Sequence, residues 1–175
     1  MLCLVGCSSE SALNEPMTLR EKIIAASSCS FDATVTADYG EMIYSFGMHC
    51  IFDQMGNMRF SVTEPESIAG ITGKIVNDEG ALTFDDRVLV FELLSDGQVT
   101  PVSAPWLVMR SLRSGYIRSS GRSDDGCKII IDDSYTEDAL KVDVWLNENG
   151  VPRSAELVWQ NRRILSVSIE EFNLE

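Results

Sequence analysis

The chain has 175 residues, which is enough for one domain with a substantial hydrophobic core. Its 27 acidic and 14 basic side chains give a formal net charge of −13 at pH 7. This charge argues against nucleic acid as a partner and against electrostatic docking on anionic lipid, because both require a surface rich in Lys and Arg. No apolar run after Cys7 approaches the ~20 residues that span a bilayer.

The N-terminal stretch Leu4-Val5-Gly6-Cys7 has the form of a bacterial lipobox, whose cysteine thiol receives a diacylglycerol. It predicts an extracytoplasmic protein anchored to the bacterial cell membrane by the lipid on Cys7. Residues 1–7 would be a signal remnant, 8–16 a polar tether and 17–175 a single domain. A secretory signal carries a cationic n-region and about 7–15 apolar residues before the cleavage site, and this one has neither. Either the start codon lies upstream, or the pattern is a chance match.

The rest of the chain reads as one short helix followed by strands. Thr18-Leu19-Arg20-Glu21 has the form of a capping box and predicts a helix over residues 18–27. From Phe31 onward the apolar period changes from 3.6 to 2, and turn residues separate the alternating runs. The pattern predicts about eleven strands joined by hairpins, which is typical of a mainly β sandwich or barrel.

A second helix is predicted inside the strand-rich region. Ser103 can cap it, Pro105 fits its first turn, and the segment ends at Gly115. Trp106 and Met109 fall on one face of this helix. A short amphipathic helix needs an apolar surface to lie on, and the concave side of the sheet is the expected one.

No residue pattern indicates catalysis, a metal or a cofactor. The one histidine, His49, lies on the polar face of a predicted strand with Asp53 nearby in sequence, and no nucleophile-elbow or zinc-ligand motif accompanies it. We therefore expect an exposed strand histidine in a protein that is not an enzyme. Three acidic pairs lie where hairpins must turn, and turn chemistry explains them better than calcium binding. They are Asp85-Asp86, Asp124-Asp125 and Asp132-Asp133.

Three cysteines remain after Cys3 and Cys7 are assigned to the signal and its lipid. Cys29 and Cys50 flank the first predicted hairpin and share its apolar face, so they form either a disulfide or a pair of buried free thiols. Cys127 has the neighbours of an ordinary core residue.

Basic charge is concentrated in one segment. Residues 97–123 contain no acidic side chain and four arginines, Arg110, Arg113, Arg118 and Arg122. These arginines form either a rim that receives a lipid headgroup or an acidic partner, or a solvated loop balanced by neighbouring carboxylates.

Over residues 17–175 the chain resembles the lipoprotein-carrier superfamily, the LolA/LolB-like half-barrels. The resemblance is carried by the strand Met58–Pro65, the hairpin segment Gly80–Phe84 and the closing segment from Val144 through Pro152 to Phe172. It implies an unclosed, curved antiparallel barrel with short helices across its concave face. The apparent lipid anchor and the acidic charge are more similar to the anchored members that do not shuttle between membranes. These include lipoproteins of Gram-positive bacteria, such as a clostridial spore-germination lipoprotein.

The resemblance implies a monomeric, non-enzymatic protein that binds a lipid, a lipoprotein acyl chain or another hydrophobic ligand on the concave wall. In this chain the wall would be formed by Phe46, Met48, Met58, Phe60, Trp106 and Met109. Such a protein needs an apolar cavity of several hundred Å³, roughly the volume of a small-ligand site. The alternative is an envelope protein with a closed core that docks a protein partner through its outer face and the arginine segment.

Overall fold

The computed structural model describes residues 9–95, 98–123, 126–134 and 139–175. Cys7 and the pair Asp124-Asp125 lie outside these described residues. The helices are α1 (Ser9–Ala25) and α2 (Ala104–Ser114), and a 3₁₀ turn covers Pro101–Ser103. The strands are β1 (Ser28–Asp38), β2 (Ile43–Asp53), β3 (Met58–Glu64), β4 (Thr72–Val76), β5 (Glu79–Phe84), β6 (Arg87–Phe91), β7 (Leu94–Ser95), β8 (Gln98–Val99), β9 (Tyr116–Ser123), β10 (Gly126–Asp132), β11 (Lys141–Leu146), β12 (Pro152–Trp159) and β13 (Arg162–Leu174).

Eleven strands form one antiparallel sheet in the order β6-β5-β4-β3-β2-β1-β13-β12-β11-β10-β9. The sheet is curved and does not close, so β6 and β9 are its two edges. β7 and β8 pair separately as a short two-stranded ribbon. The predicted fold, a mainly β unclosed half-barrel with short helices, is confirmed.

The hairpin turns follow local chemistry. Asn77-Asp78, Asp85-Asp86 and Gln160-Asn161 are two-residue turns in which both residues have positive φ, as the type I′ hairpin requires. Asp and Asn tolerate this conformation better than other side chains. The turn role predicted for Asp85-Asp86 is therefore confirmed.

The first helix begins earlier than the sequence predicts. α1 starts at Ser9, nine residues before the predicted start at residue 18, and runs through Pro16. The capping-box residues consequently lie inside the helix, where Leu19 and Ile23 are buried. Arg20 attaches α1 to the end of α2, since its Nε donates to the carbonyl of Leu112 (2.7 Å) and its Nη2 to that of Gly115 (2.8 Å).

The core lies between the concave face of the sheet and the helices. α2 packs mainly against β1, β2, β10, β11 and β13, and α1 packs against α2 and β9. β4, β5 and β6 extend beyond these contacts, and we call this part of the sheet, Thr72–Phe91, the overhang. Most of its side chains are half-buried or exposed, including three consecutive large apolar residues of β6, Val88, Leu89 and Val90. No helix among the described residues has the length and apolar character to cross a membrane.

Candidate ligand-binding cleft

A cleft of about 650 Å³ lies where the overhang meets α2. The end of β6, the turn between β4 and β5, one side of α2 and the loop after β10 all contribute to it. Its apolar lining comes from Val90, Phe91, Leu93, Trp106 and Leu107, and its polar lining comes from Asp78, Glu79, Glu92, Arg110 and Asp133.

The apolar wall continues from the cleft along the concave face of the overhang. Cross-strand partners share a face in an antiparallel sheet. The register pairs Leu82 with Leu89, Gly80 with Phe91 and Phe84 with Arg87. Leu82, Phe84, Leu89 and Phe91 therefore lie on the same face as the buried Ile75, whereas Val88 and Val90 point to the opposite, convex face. Phe84 and Leu89 are 55% and 63% exposed, so the concave wall is uncovered there.

Trp106 is held in position by the turn between β2 and β3. Its indole Nε1 donates a hydrogen bond to the carbonyl of Gly56 (2.9 Å), and the guanidinium of Arg110 lies 5.1 Å from the ring centroid. The turn is itself closed by Asp53, whose Oδ1 accepts from the backbone N–H groups of Met55 and Asn57, both at 2.9 Å. Partial burial works to raise the pKa of Asp53, but these hydrogen bonds and one from the Asn57 side chain outweigh it and hold the pKa below its ordinary value.

The polar rim of the cleft is predominantly acidic. Four carboxylates, from Asp78, Glu79, Glu92 and Asp133, line it together with the single guanidinium of Arg110. These carboxylates would repel an anionic group of a ligand placed here. The cleft therefore suits an apolar chain with an uncharged or cationic polar end better than a fatty-acid carboxylate.

The structure brings one of the six predicted wall residues, Trp106, to this cleft. Met48, Met58, Phe60 and Met109 are buried in the core, and Phe46 is partly buried against it. These side chains pack in or against the core and do not line the cleft.

The four predicted rim arginines do not form one surface. Arg110 stacks on Trp106 at the cleft, and Arg113 lies in the last turn of α2. Arg118 and Arg122 lie on β9 and form ion pairs with Asp132 (3.5 Å) and Glu15 (2.7 Å). Neighbouring carboxylates thus balance the charge of the two arginines on β9.

The predicted histidine and cysteines lie away from the cleft lining. His49 is exposed on β2, and its Nδ1 lies 2.7 Å from Oδ1 of Asp32 rather than beside Asp53. Cys29, Cys50 and Cys127 are buried free thiols. Burial raises the pKa of Cys29 to about 12 and also raises that of Cys50, which the nearby Asp32 carboxylate raises further. Within the described ranges, no three His, Cys, Asp or Glu side chains cluster as metal ligands do.

Most of the cleft lining has no distinguishing pattern in the sequence. The apolar residues of the cleft and its extension have the spacing of core residues: Leu82, Leu89, Phe91, Leu93 and Leu107. The sequence carries no sign that the helices stop short of β4–β6. The one available signal was the density of acidic residues around a short apolar strand, from Asp78 to Glu92.

Solved structures of other proteins are similar to this chain in fold. An uncharacterized conserved protein from Thermus thermophilus aligns with a TM-score of 0.51 at 11% identity, over 93% of this chain and 87% of that one. A candidate outer membrane lipoprotein-sorting protein domain from Vibrio parahaemolyticus aligns with a TM-score of 0.51 at 9% identity, over 96% and 94% of the two chains. The chain shares its fold with both of these proteins. At these identities the likeness establishes the fold alone, and the sequence matches no family model and no curated protein.

Proposed function

We propose that this protein is an extracytoplasmic lipoprotein, anchored through a lipid on Cys7, that binds the acyl part of an uncharged lipid. The ligand would lie in the cleft beside Trp106 and along the concave face of the overhang. The protein acts by binding and has no catalytic role. The observation that carries the proposal is the cleft itself, a space of about 650 Å³ with an apolar wall and an acidic rim at the point where the helices stop covering the half-barrel.

Two features support an acyl ligand. The volume is within the range of small-ligand sites, about 300–1,000 Å³. From Phe91 in the cleft, Leu89 and Leu82 extend the apolar wall in one direction, as a flexible chain requires. Burying this wall under a ligand would remove apolar surface from water, which is favourable by roughly 25 cal/mol per Å².

The acidic rim selects the polar end of the ligand. Asp78, Glu79, Glu92 and Asp133 would repel a carboxylate or a phosphate, whereas a glycerol ester has no charge to repel. A diacylglycerol group, which is the modification carried by bacterial lipoproteins, meets this requirement. A lipid-modified protein or a neutral diglyceride is accordingly the ligand class that we propose.

The test is native mass spectrometry and lipid titration on the Cys7→Ser chain, purified without detergent. Dioctanoylglycerol is the probe, and dioctanoylphosphatidic acid, which has the same two chains and an anionic phosphate in place of the free hydroxyl, is its matched control. We expect dioctanoylglycerol to bind and dioctanoylphosphatidic acid to bind at least about tenfold more weakly. A protein that stays bare and binds neither probe would overturn the proposal and favour the closed-core docking protein.

Two neighbouring residues of β6 supply the control variants. Leu89→Asp places a charge on the concave wall, and Val88→Asp places the same charge on the convex face of the same strand. Both side chains are mostly exposed, at 63% and 68%, so neither change should unfold the protein. We expect Leu89→Asp to weaken diglyceride binding at least about tenfold and Val88→Asp to leave it unchanged. Equal effects of the two substitutions would count against a concave site.

A further inference from the structure

One edge of the sheet carries unused hydrogen-bonding groups. The two-residue turn at Asp85-Asp86 makes Phe84 and Arg87 a hydrogen-bonded pair, and such pairs then alternate along the hairpin. Arg87, Leu89 and Phe91 therefore bond to β5, whereas the N–H and C=O groups of Val88 and Val90 point away from the sheet. Among the described residues, no strand pairs with this side of β6.

The side chains on this edge are apolar and exposed. Val88 and Val90 are 68% and 72% exposed on the convex face, and Leu89 is 63% exposed on the concave face. Exposed apolar edge strands promote pairing with other chains, and proteins usually protect them with charges or cover. The opposite edge, β9, has such protection, because it carries Arg118 and Arg122 and α1 packs against it. β6 carries one charged residue, Arg87, at its end.

Acidic residues flank the exposed strand at both ends. Asp85 and Asp86 precede it and Glu92 follows it. Asp78 lies in the turn between β4 and β5, and Glu79 begins β5 next to Gly80, the partner of Phe91. Arg87 is the only basic residue between positions 77 and 92. A segment that pairs with β6 would therefore gain from basic residues on both sides of an apolar centre.

The same charges disfavour a second copy of this chain as the occupant. Antiparallel pairing of two β6 strands with full overlap places Val88 opposite Val90 of the other copy. Asp86 then faces Glu92 of the other copy, and the contact occurs twice by symmetry. Like charges directly opposite one another destabilise a strand pair, and each copy carries a net charge of −13.

We propose that β6 binds an extended segment of a protein partner by strand addition, and that this segment is apolar at its centre and basic at both ends. The N–H and C=O groups of Val88 and Val90 supply the backbone hydrogen bonds, and the flanking carboxylates select the basic ends. This surface borders the cleft, whose lining includes Val90 and Glu92, but its hydrogen bonds lie along the strand edge rather than on the concave wall.

The test uses a fluorescein-labelled peptide, Lys-Lys-Val-Thr-Val-Thr-Val-Lys-Lys, and the Cys7→Ser chain. Fluorescence anisotropy measures its affinity, and a peptide with Glu in place of every Lys is the charge control. Val90→Pro removes one outward N–H without disturbing the bonds to β5, which makes it a position where an edge strand tolerates proline. Val90→Thr keeps that N–H and the β-branched shape. We expect Val90→Pro and the Glu peptide each to lower affinity at least about tenfold, and Val90→Thr to stay within about threefold of the wild type.

A measurement on the Cys7→Ser chain with no substitution in β6 covers the case in which Val90→Pro fails to fold. Hydrogen exchange read by NMR should show that the peptide protects the amides of Val88 and Val90, while those of Leu89 and Phe91 are already slow. Three results would each overturn the proposal: no peptide binding by the Cys7→Ser chain, unchanged affinity in a folded Val90→Pro variant, or dimerisation through this edge in sedimentation equilibrium. Failure of lipid binding would leave these outcomes unaffected, since the peptide is bound by backbone groups along the strand edge and needs no ligand in the cleft.

Discussion

The indole N–H of Trp106 donates a hydrogen bond to the carbonyl of Gly56, fifty residues earlier in the chain, at 2.9 Å. This bond joins α2 to the turn between β2 and β3 and fixes the side of the helix that lines the cleft. Gly56 needs its positive φ of 91° to form that turn. One tertiary contact thus connects the turn between β2 and β3 to the wall of the candidate site.

Trp106→Phe should destabilise the fold by about 1 kcal/mol, because it removes this hydrogen bond while keeping most of the buried ring. Urea denaturation followed by circular dichroism measures the loss. The matched control is Trp159→Phe, since Trp159 packs partly buried against the core and the structure records no indole hydrogen bond for it among the described residues. A loss no larger than that of Trp159→Phe would show that the bond to Gly56 contributes little.

Arg20→Lys should also destabilise the fold, by about 1–2 kcal/mol. The guanidinium donates to the carbonyls of both Leu112 and Gly115, and a lysine ammonium cannot reproduce that planar, two-point contact. Lys22→Ala, on an exposed residue two positions later, serves as the control and should change little. Hydrogen exchange should show faster opening of α1 in Arg20→Lys alone, and equal opening in both variants would contradict this role.

Lys128→Met should cost more stability than Lys141→Met. Asp143 is 5% exposed, and Lys128 Nζ lies 2.8 Å from its Oδ2, whereas Lys141 Nζ lies 3.6 Å from its Oδ1. Lys128 also lies 4.6 Å from the centre of the Trp145 ring. Because both lysines remain partly solvated, we expect about 1–3 kcal/mol for Lys128→Met and less than half of that for Lys141→Met, by thermal or urea unfolding. The reverse order would contradict the geometry.

The thiols of Cys29, Cys50 and Cys127 should be unreactive in the folded protein. All three are buried with raised pKa values, and the thiolate is the reactive form. In a Cys3→Ser, Cys7→Ser chain, we expect labelling by Ellman's reagent at mildly alkaline pH to be at least about tenfold slower than after unfolding in guanidinium chloride.

The same labelling decides between the two predictions for Cys29 and Cys50. The register pairs Cys29 with Phe52 and Cys50 with Phe31, so the two cysteines are diagonal neighbours. Diagonal positions lie about 7–8 Å apart, beyond the usual Cα separation of a disulfide. We therefore expect three alkylated thiols after denaturation without reductant, and a single one would establish the disulfide.

The stabilising contribution of Asp53 to the folded protein should be lost in acid. Its pKa is lowered from 3.8 in the folded state, so its contribution is fully present above that value and is lost as the pH falls through the lower folded pKa. Asp53→Asn removes the titration and keeps an oxygen for the Met55 and Asn57 N–H groups. We expect the stability difference between wild type and Asp53→Asn to shrink as the pH is lowered below about 4. A difference that is constant with pH would contradict the assignment.

Particular residues show how far the sequence could predict the site. The sequence predicts the helix that carries Trp106 and its orientation toward the concave face, because proline placement and apolar spacing are local. The predicted side-chain cap by Ser103 is wrong, since its hydroxyl donates to the carbonyl of Thr100 (2.7 Å) instead of accepting from the helix. Met48 and Met58 were predicted as ligand contacts and are instead core residues. Leu89 and Phe91 follow a similar strand pattern and line open surface. Alternation places a side chain on a face of the sheet but does not say what covers that face.

The sequence by itself therefore determined the strands, the hairpin turns and the division of each strand into two faces, because backbone conformation and period depend on neighbouring residues. Only the tertiary structure decided which part of the sheet the helices cover, which arginines form ion pairs with carboxylates, and which strand edge has no partner strand among the described residues. Glu15 reaches Arg122 and Gly56 reaches Trp106 across large separations in sequence. Contacts of this kind depend on how whole elements pack, and no local pattern encodes them.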